Sequence, residues 1–97
     1  MYMVVSRWKV NAGADDEVEA RGRRVREALR AQPGVELLET FRSETGDIIA
    51  VHGYADENTY TRIIQDENGP FASALRESGL EKFTTWVSSD RGSTIHD

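Results

Sequence analysis

The sequence predicts an α+β fold in which four antiparallel strands and several helical stretches follow the split βαβ order. Residues 35–54 show the strongest pattern, a hairpin in which two strand-like runs flank a polar turn. A helix-period pattern over residues 15–31 separates this hairpin from an N-terminal strand, and a last strand-like run follows two further helical stretches. The resulting order, β-α-β-β-α-α-β, places strands one and three in the centre of the sheet because crossovers are right-handed.

Residues 2–10 alternate strictly enough to predict the first strand. One face of this strand carries Tyr2, Val4, Ser6, Trp8 and Val10. Asp15 is then expected to cap a helix that runs to about Ala31, with Gly22 inside its apolar stripe. A glycine within a helix costs roughly 1 kcal/mol relative to alanine. Close approach of the helix to the sheet is the favoured compensation at Gly22, and room for a ligand is the alternative.

The hairpin pattern distinguishes its two strands. Residues 35–42 alternate apolar and polar side chains, which predicts an outer strand with one solvated edge. Residues 48–51 form a nearly continuous apolar run rich in β-branched side chains, as is typical of a central strand. Gly46 can supply the positive φ that the tight reversal between them requires.

The second half of the chain contains shorter elements. Asp56 is expected to cap a short helix, Pro70 to begin another and Gly79 to end it. Residues 81–88 predict the last strand. Residues 89–97 are polar and lack periodicity, so a single domain is predicted over residues 1–88, followed by a polar tail that is either disordered or held by a partner.

Composition excludes several classes of protein. The 97 residues, 38% hydrophobic and 30% charged, suit one small globular domain. A net charge of −5 argues against nucleic-acid binding, which needs a concentrated basic face. The absence of cysteine excludes disulfides and thiolate chemistry. Because neither a membrane-spanning apolar stretch nor a signal-peptide pattern is found, a cytoplasmic protein without membrane association is expected.

The predicted sheet has apolar side chains on both faces, whereas the helices can cover only one. The third strand is apolar on both faces, and the other three strands keep some apolar residues on each. The simplest second cover is the same sheet from another copy of the chain, packed face to face. The sequence therefore predicts a homodimer.

Three stretches, VVSRWKVNAG before an acidic helix start, IIAVHGYAD and NGPFASAL, resemble the antibiotic biosynthesis monooxygenase family. The resemblance covers about residues 3–87. It implies a ferredoxin-like domain that pairs into a dimeric α+β barrel. Relatives of known activity include cofactor-independent oxygenases acting on aromatic polyketides or quinols, and haem-degrading enzymes.

The haem-degrading branch uses an asparagine on strand one, a tryptophan on the helix after strand three and a histidine on the next helix. Matched by motif, these places hold Ser6, Ile63 and Leu75 in this chain. The resemblance therefore implies no haem degradation by that mechanism, and no cofactor is expected.

His52 is the candidate catalytic residue because it is the one histidine inside a predicted element. In an apolar pocket a neutral imidazole can take a proton from a phenol or hydroquinone, and the carbanion formed reacts with oxygen without a metal. On the helix side of the sheet, burial would lower the pKa of His52. On the other side it would be an interface residue without a catalytic role. His96, in the tail, is expected to be solvated.

Aromatic residues supply the candidate substrate-binding wall, since a planar organic ligand needs aromatic surfaces with a few polar groups. The candidates are Trp8, Tyr54, Tyr60, Phe71 and Trp86, with Ser6 as a hydrogen-bond partner for a ligand carbonyl. The alternative is that the same rings fill the core or the dimer interface. No metal site is expected, because the two histidines lack ligand-like spacing.

Three functions follow from these observations. The leading prediction is a cofactor-free monooxygenase acting on an aromatic polyketide or quinone-like substrate. A non-catalytic ligand-binding or partner module is the second, and a polyketide cyclase or isomerase is the third, because a dry pocket with one base also serves that chemistry. A cavity lined by aromatic side chains with His52 inside would favour the enzymes, and a space filled by side chains would favour the module.

Overall fold

The computed structural model describes residues 1–95, and the expectation for His96 therefore lies outside the described residues. Its elements are β1 (Tyr2–Val10), α1 (Asp15–Arg30), β2 (Val35–Arg42), β3 (Ile48–Tyr54), α2 (Glu57–Tyr60), α3 (Pro70–Ser78) and β4 (Thr84–Ser93). A π-helical turn, Thr61–Gln65, extends α2, and a 3-10 turn, Leu80–Lys82, precedes β4. This order confirms the predicted ferredoxin-like arrangement.

The sheet has the strand order β2-β3-β1-β4 with antiparallel neighbours throughout, which confirms the central position of β1 and β3. The helices pack on one face of it. Between them lies the core, which consists of Tyr2, Val4, Val25, Leu29, Leu38, Tyr54, Tyr60, Ile63 and Ala74. The strand residues of this cluster, Tyr2, Val4, Leu38 and Tyr54, all lie on the helix-facing side of the sheet.

The hairpin between β2 and β3 forms as predicted. The backbone N–H of Ser43 donates to the carbonyl of Asp47 at 2.7 Å, and Gly46 adopts a φ of 92°. The Asp47 carboxylate also accepts a hydrogen bond from Arg7 on β1 at 2.9 Å. The turn is therefore fixed both by its own backbone and by a neighbouring strand.

The predicted caps are confirmed at Asp56 and Gly79 and wrong at Asp15. The Asp56 side chain accepts from the backbone N–H of Thr59 at 2.8 Å, and Gly79 has a φ of 69°. At α1 the cap position is Ala14, without a side-chain hydrogen bond. The turn before the helix closes one residue early, so Asp15 lies in the first helical turn and pairs instead with Arg42 at 2.6 Å.

The last strand differs most from its prediction. Residues 81 and 82 belong to the 3-10 turn, and β4 continues to Ser93. The residues assigned to the start of a polar tail therefore form sheet, because the backbone of β1 offers hydrogen-bonding partners along its whole length. A register shift lies between Trp86 and Ser88, at Arg7–Trp8 of β1. Beyond this shift, Arg91 lies opposite Val4.

Candidate functional site

A cavity of about 830 Å³ lies between the helix-facing side of the sheet and the helices. Alternate residues of β1 and β3 form its floor, and residues of α1 and α3 form its roof. β4 closes one side with Trp86, Ser89 and Arg91. The cavity and the core therefore lie on the same side of the sheet. The cavity is the part of the space between sheet and helices that core side chains do not fill.

Six of the seven residues predicted for the site line this cavity. They are Ser6, Trp8, His52, Tyr60, Phe71 and Trp86. Tyr54 does not line it, because this residue is fully buried in the core. The structure therefore brings the predicted polar and aromatic groups together and moves one ring out of the wall.

Tyr54 contacts the site through His52. The Tyr54 hydroxyl lies 2.7 Å from Nδ1 of His52, and the two rings meet edge to face. Burial, with a smaller contribution from Tyr60, raises the pKa of Tyr54, so its hydroxyl stays protonated. Burial also lowers the pKa of His52 to about 4, and the imidazole is therefore neutral near pH 7. The lowered pKa agrees with a helix-side position for this histidine.

The hydrogen-bond pattern fixes the tautomer of His52. Among residues 1–95 the Tyr54 hydroxyl has no hydrogen-bond acceptor other than Nδ1 of His52. Donation from Tyr54 to Nδ1 satisfies the hydrogen of this fully buried hydroxyl, whereas the reverse bond would leave that hydrogen without an acceptor among the described residues. We therefore assign the ring proton of the neutral imidazole to Nε2.

The Nε2 atom of His52 faces the cavity. Nε2 has no hydrogen-bond partner within the described part of the chain. Every buried side-chain nitrogen or oxygen there has such a partner, so Nε2 cannot be buried. Nε2 is therefore accessible, and His52 lines the cavity. The resting imidazole presents a hydrogen-bond donor to a ligand, whereas the general base expected from the sequence requires the other tautomer.

The tautomer leads to a direct prediction for ¹⁵N NMR. At pH 7 the long-range ¹H–¹⁵N correlations of His52 are expected to show a protonated Nε2 and an unprotonated Nδ1. Tyr54→Phe removes the donor to Nδ1 and is expected to introduce the Nδ1–H form. His96→Gln removes the second histidine of the sequence and so identifies the His52 signals. A wild-type spectrum with the proton on Nδ1 would refute the assignment.

The two tryptophans of the wall are held in matching ways. Trp8 and Trp86 are register partners on β1 and β4. The indole N–H of Trp8 donates to Ser6 at 2.9 Å, and that of Trp86 donates to Ser89 at 2.9 Å. These bonds fix both indole rings and use both indole donors, so the tryptophans offer a ligand only their aromatic surfaces.

Gly22 provides space for the cavity. It is buried within α1 and lines the cavity. A Cβ on Gly22 would lie 3.1 Å from Nη1 of Arg26, and no sheet atom among the described residues lies within 4 Å. The sheet is too distant from Gly22 to require glycine, so the favoured expectation of close helix–sheet approach is wrong. The open space beside Gly22 fits the alternative, in which glycine leaves room for a ligand.

Gly22→Ala is accordingly expected to stabilise the fold while narrowing the cavity. Alanine is favoured over glycine in a helix by roughly 1 kcal/mol, and the flexible end of Arg26 is the only close neighbour among the described residues. Urea unfolding at fixed protein concentration measures the gain. Ala20→Gly, on the exposed side of the same helix, is the reverse control and is expected to destabilise by a similar amount. A destabilised Gly22→Ala variant would contradict this prediction.

Sequence reasoning missed three arginines of the wall, Arg26, Arg42 and Arg91. Arg26 lies one turn after Gly22 on α1, so its position beside the apolar stripe was a usable signal. Arg91 lies in the stretch assigned to a tail, and only the full length of β4 places it at the cavity. No metal-binding group of three or more His, Cys, Asp or Glu occurs within residues 1–95. None of the described helices is long and apolar enough to cross a membrane.

The fold and cavity define a ferredoxin-like α+β domain with a ligand-sized space beneath its helices. The chain belongs to the antibiotic biosynthesis monooxygenase family, whose sequence pattern matches residues 1–63. This confirms the resemblance inferred from the sequence. No curated protein sequence matches the chain.

Solved structures share the whole fold at low sequence identity. A crystal structure of an antibiotic biosynthesis monooxygenase matches with a TM-score of 0.78 at 14% identity, covering 99% of this chain and 100% of that one. SnoaB, a cofactor-independent oxygenase from Streptomyces nogalater, matches with a TM-score of 0.78 at 17% identity, covering 99% and 94%. A MhuD variant with two manganese protoporphyrin IX molecules per active site matches with a TM-score of 0.75 at 19% identity, covering 100% and 97%. At these identities the likeness establishes the fold.

Proposed function

We propose that this protein is a cofactor-independent monooxygenase acting on an aromatic polyketide or quinone-like small molecule. The observation that carries the proposal is the cavity itself, which joins aromatic walls to one half-buried, neutral imidazole. Trp8 and Trp86 offer fixed ring surfaces, and His52 offers a single oriented donor. The family and the fold shared with a cofactor-independent oxygenase support the same reaction class.

The chemistry assigned to the site needs no external reductant. An electron-rich phenol or its anion reduces O2, one oxygen atom forms a new bond to a ring carbon, and the other leaves as water with two hydrogens of the substrate. The protein's part is to hold the ring plane between aromatic surfaces and to place a donor where negative charge collects on the substrate oxygen. His52 Nε2–H is the donor proposed for that position.

We propose that the active form is a homodimer joined through the open face of the sheet. Strand register places Val5 and Phe41 on this face, and they are 42% and 53% exposed in the single chain. Such a cluster of exposed apolar side chains on a sheet is typical of an interface. The helices cannot cover it, because they lie on the other face.

Oxygen uptake with a panel of polycyclic phenols and hydroquinones tests the proposed reaction. Uptake that continues in the presence of a chelator, with a product of increased oxygen content by mass spectrometry, is the expected result. His52→Ala should lower kcat by about 10²-fold because a donor to developing charge is lost. Gln65→Ala, an exposed residue outside the cavity, is the control.

Other results of this assay would favour the other two functions. A ligand that binds and is recovered unchanged would favour a carrier or partner module. A product rearranged without oxygen uptake would favour a cyclase or isomerase. Either result would overturn the monooxygenase proposal.

Haem is not expected to be degraded. Leu75 cannot ligate iron, and Ile63 is fully buried in the core, where it cannot contact a porphyrin. Haem mixed with the protein and a reductant should lose its Soret absorbance no faster than in a protein-free control. A faster loss that depends on the protein would contradict this prediction.

A further inference from the structure

Two guanidinium groups on the cavity wall form no salt bridge within residues 1–95. Arg26 projects from α1 and forms no hydrogen bond or salt bridge with any described residue. Arg91, on β4, donates only to the Tyr60 hydroxyl at 3.3 Å and lies over that ring at 5.5 Å. Tyr60 is uncharged, so neither Arg26 nor Arg91 has an ion-pair partner among the described residues at the edge of this cavity.

The two carboxylates of the cavity wall already form salt bridges with other arginines. Asp15 pairs with Arg42 at 2.6 Å, and both residues belong to the lining. Glu19 pairs with Arg23 at 3.5 Å and is itself largely exposed. Burial, together with the charges of Arg30 and Arg23, lowers the pKa of Arg26 despite the smaller opposing effects of Glu19 and Glu27. An incoming anion would relieve this unfavourable environment.

The neutral polar groups of the wall are also donors. His52 presents Nε2–H, as its bond from Tyr54 requires. The Ser6 oxygen accepts from Trp8, which leaves the Ser6 hydroxyl hydrogen available to a ligand. Both indole N–H groups are already bonded to serines. A ligand matched to this set is planar, rich in acceptors and negatively charged.

We infer that the cavity binds its aromatic ligand as an oxyanion, with Arg26 and Arg91 as countercharges and His52 as a hydrogen-bond donor. This inference rests on the proposed function and names its substrate class, a phenol bound as the phenolate. The two guanidinium groups stabilise the anion over the neutral phenol, so the phenol's proton is released to solvent on binding. His52 then stabilises the anion and does not need to remove a proton.

Alizarin tests the inference, because this planar dihydroxyanthraquinone changes its visible spectrum when a phenol deprotonates. The spectroscopic midpoint of the bound dye is expected to lie at least about 1 pH unit below that of the free dye. Arg26→Gln and Arg91→Gln should each reverse part of the shift and weaken binding about tenfold or more. Arg24→Gln, an exposed position on the same helix outside the cavity, makes the same charge change and should preserve the shift.

The possible outcomes separate the inference from the proposed function. Dye that binds with an unshifted midpoint, or with a shift that neither cavity arginine affects, overturns the anion inference and leaves an aromatic-binding cavity in place. An equal response to Arg24→Gln also overturns it, because the effect would then be net charge. Failure of the dye to bind at all overturns both. Circular dichroism of each variant shows that the fold is intact.

Discussion

Val5→Glu is expected to leave the protein monomeric at concentrations where the wild type is a dimer. Val5 lies on the open face of a central strand, directly opposite Val51 of β3 in the sheet register. It is 42% exposed in the single chain, so glutamate can be accommodated there without disturbing the core. In the proposed dimer the same carboxylate would be buried without a partner, which costs several kcal/mol and weakens association by about 10³-fold or more.

Sedimentation velocity at micromolar concentration measures this effect. Ala20→Glu adds the same charge on the exposed side of α1, away from the open face, and should leave the dimer intact. Circular dichroism should be unchanged in both variants. A wild-type monomer at this concentration would overturn the dimer, and a dimeric Val5→Glu variant would place the interface elsewhere.

The strands of the sheet were the most predictable part of the fold. β1 and β3 have alternating or continuous apolar runs, and polar residues follow each of them, so length and period both indicate strands. The end of β4 was not predictable from its own residues. Polar side chains at 88–93 carry no apolar period, and only pairing with β1 makes them sheet. Tertiary hydrogen bonding decided that segment.

The site was partly predictable for the same reason. Alternation along β1 placed Ser6 and Trp8 on one face, but the face of His52 was left open. The register between β1 and β3 brings all three residues to the same face. The role of Tyr54 could not be predicted, because whether its ring lines a cavity or fills the core depends on side-chain packing. Arg91 was not predicted as a site residue because the predicted last strand ended before it. The missed residues are those whose positions depend on contacts between distant elements.

His52 is expected to make the fold sensitive to acid. Its pKa is about 4 in the folded protein, against an ordinary value of 6.5, because burial disfavours the imidazolium. Between these values the unfolded chain binds a proton that the folded chain does not, so stability falls as the pH is lowered. The difference contributes about 3 kcal/mol of stability that is present above pH 6.5 and largely lost near pH 4.

Comparison with His52→Gln isolates this contribution, because every other titrating group is shared by the two proteins. Free energies of unfolding in urea are measured from pH 7.5 to pH 4 at one protein concentration, since association also stabilises the fold. The wild type should lose about 3 kcal/mol more than His52→Gln over this interval. Tyr54→Phe retains the burial and should keep most of the extra acid sensitivity. Parallel curves for wild type and His52→Gln would show that burial does not disfavour the imidazolium, and the predicted acid sensitivity would then be wrong.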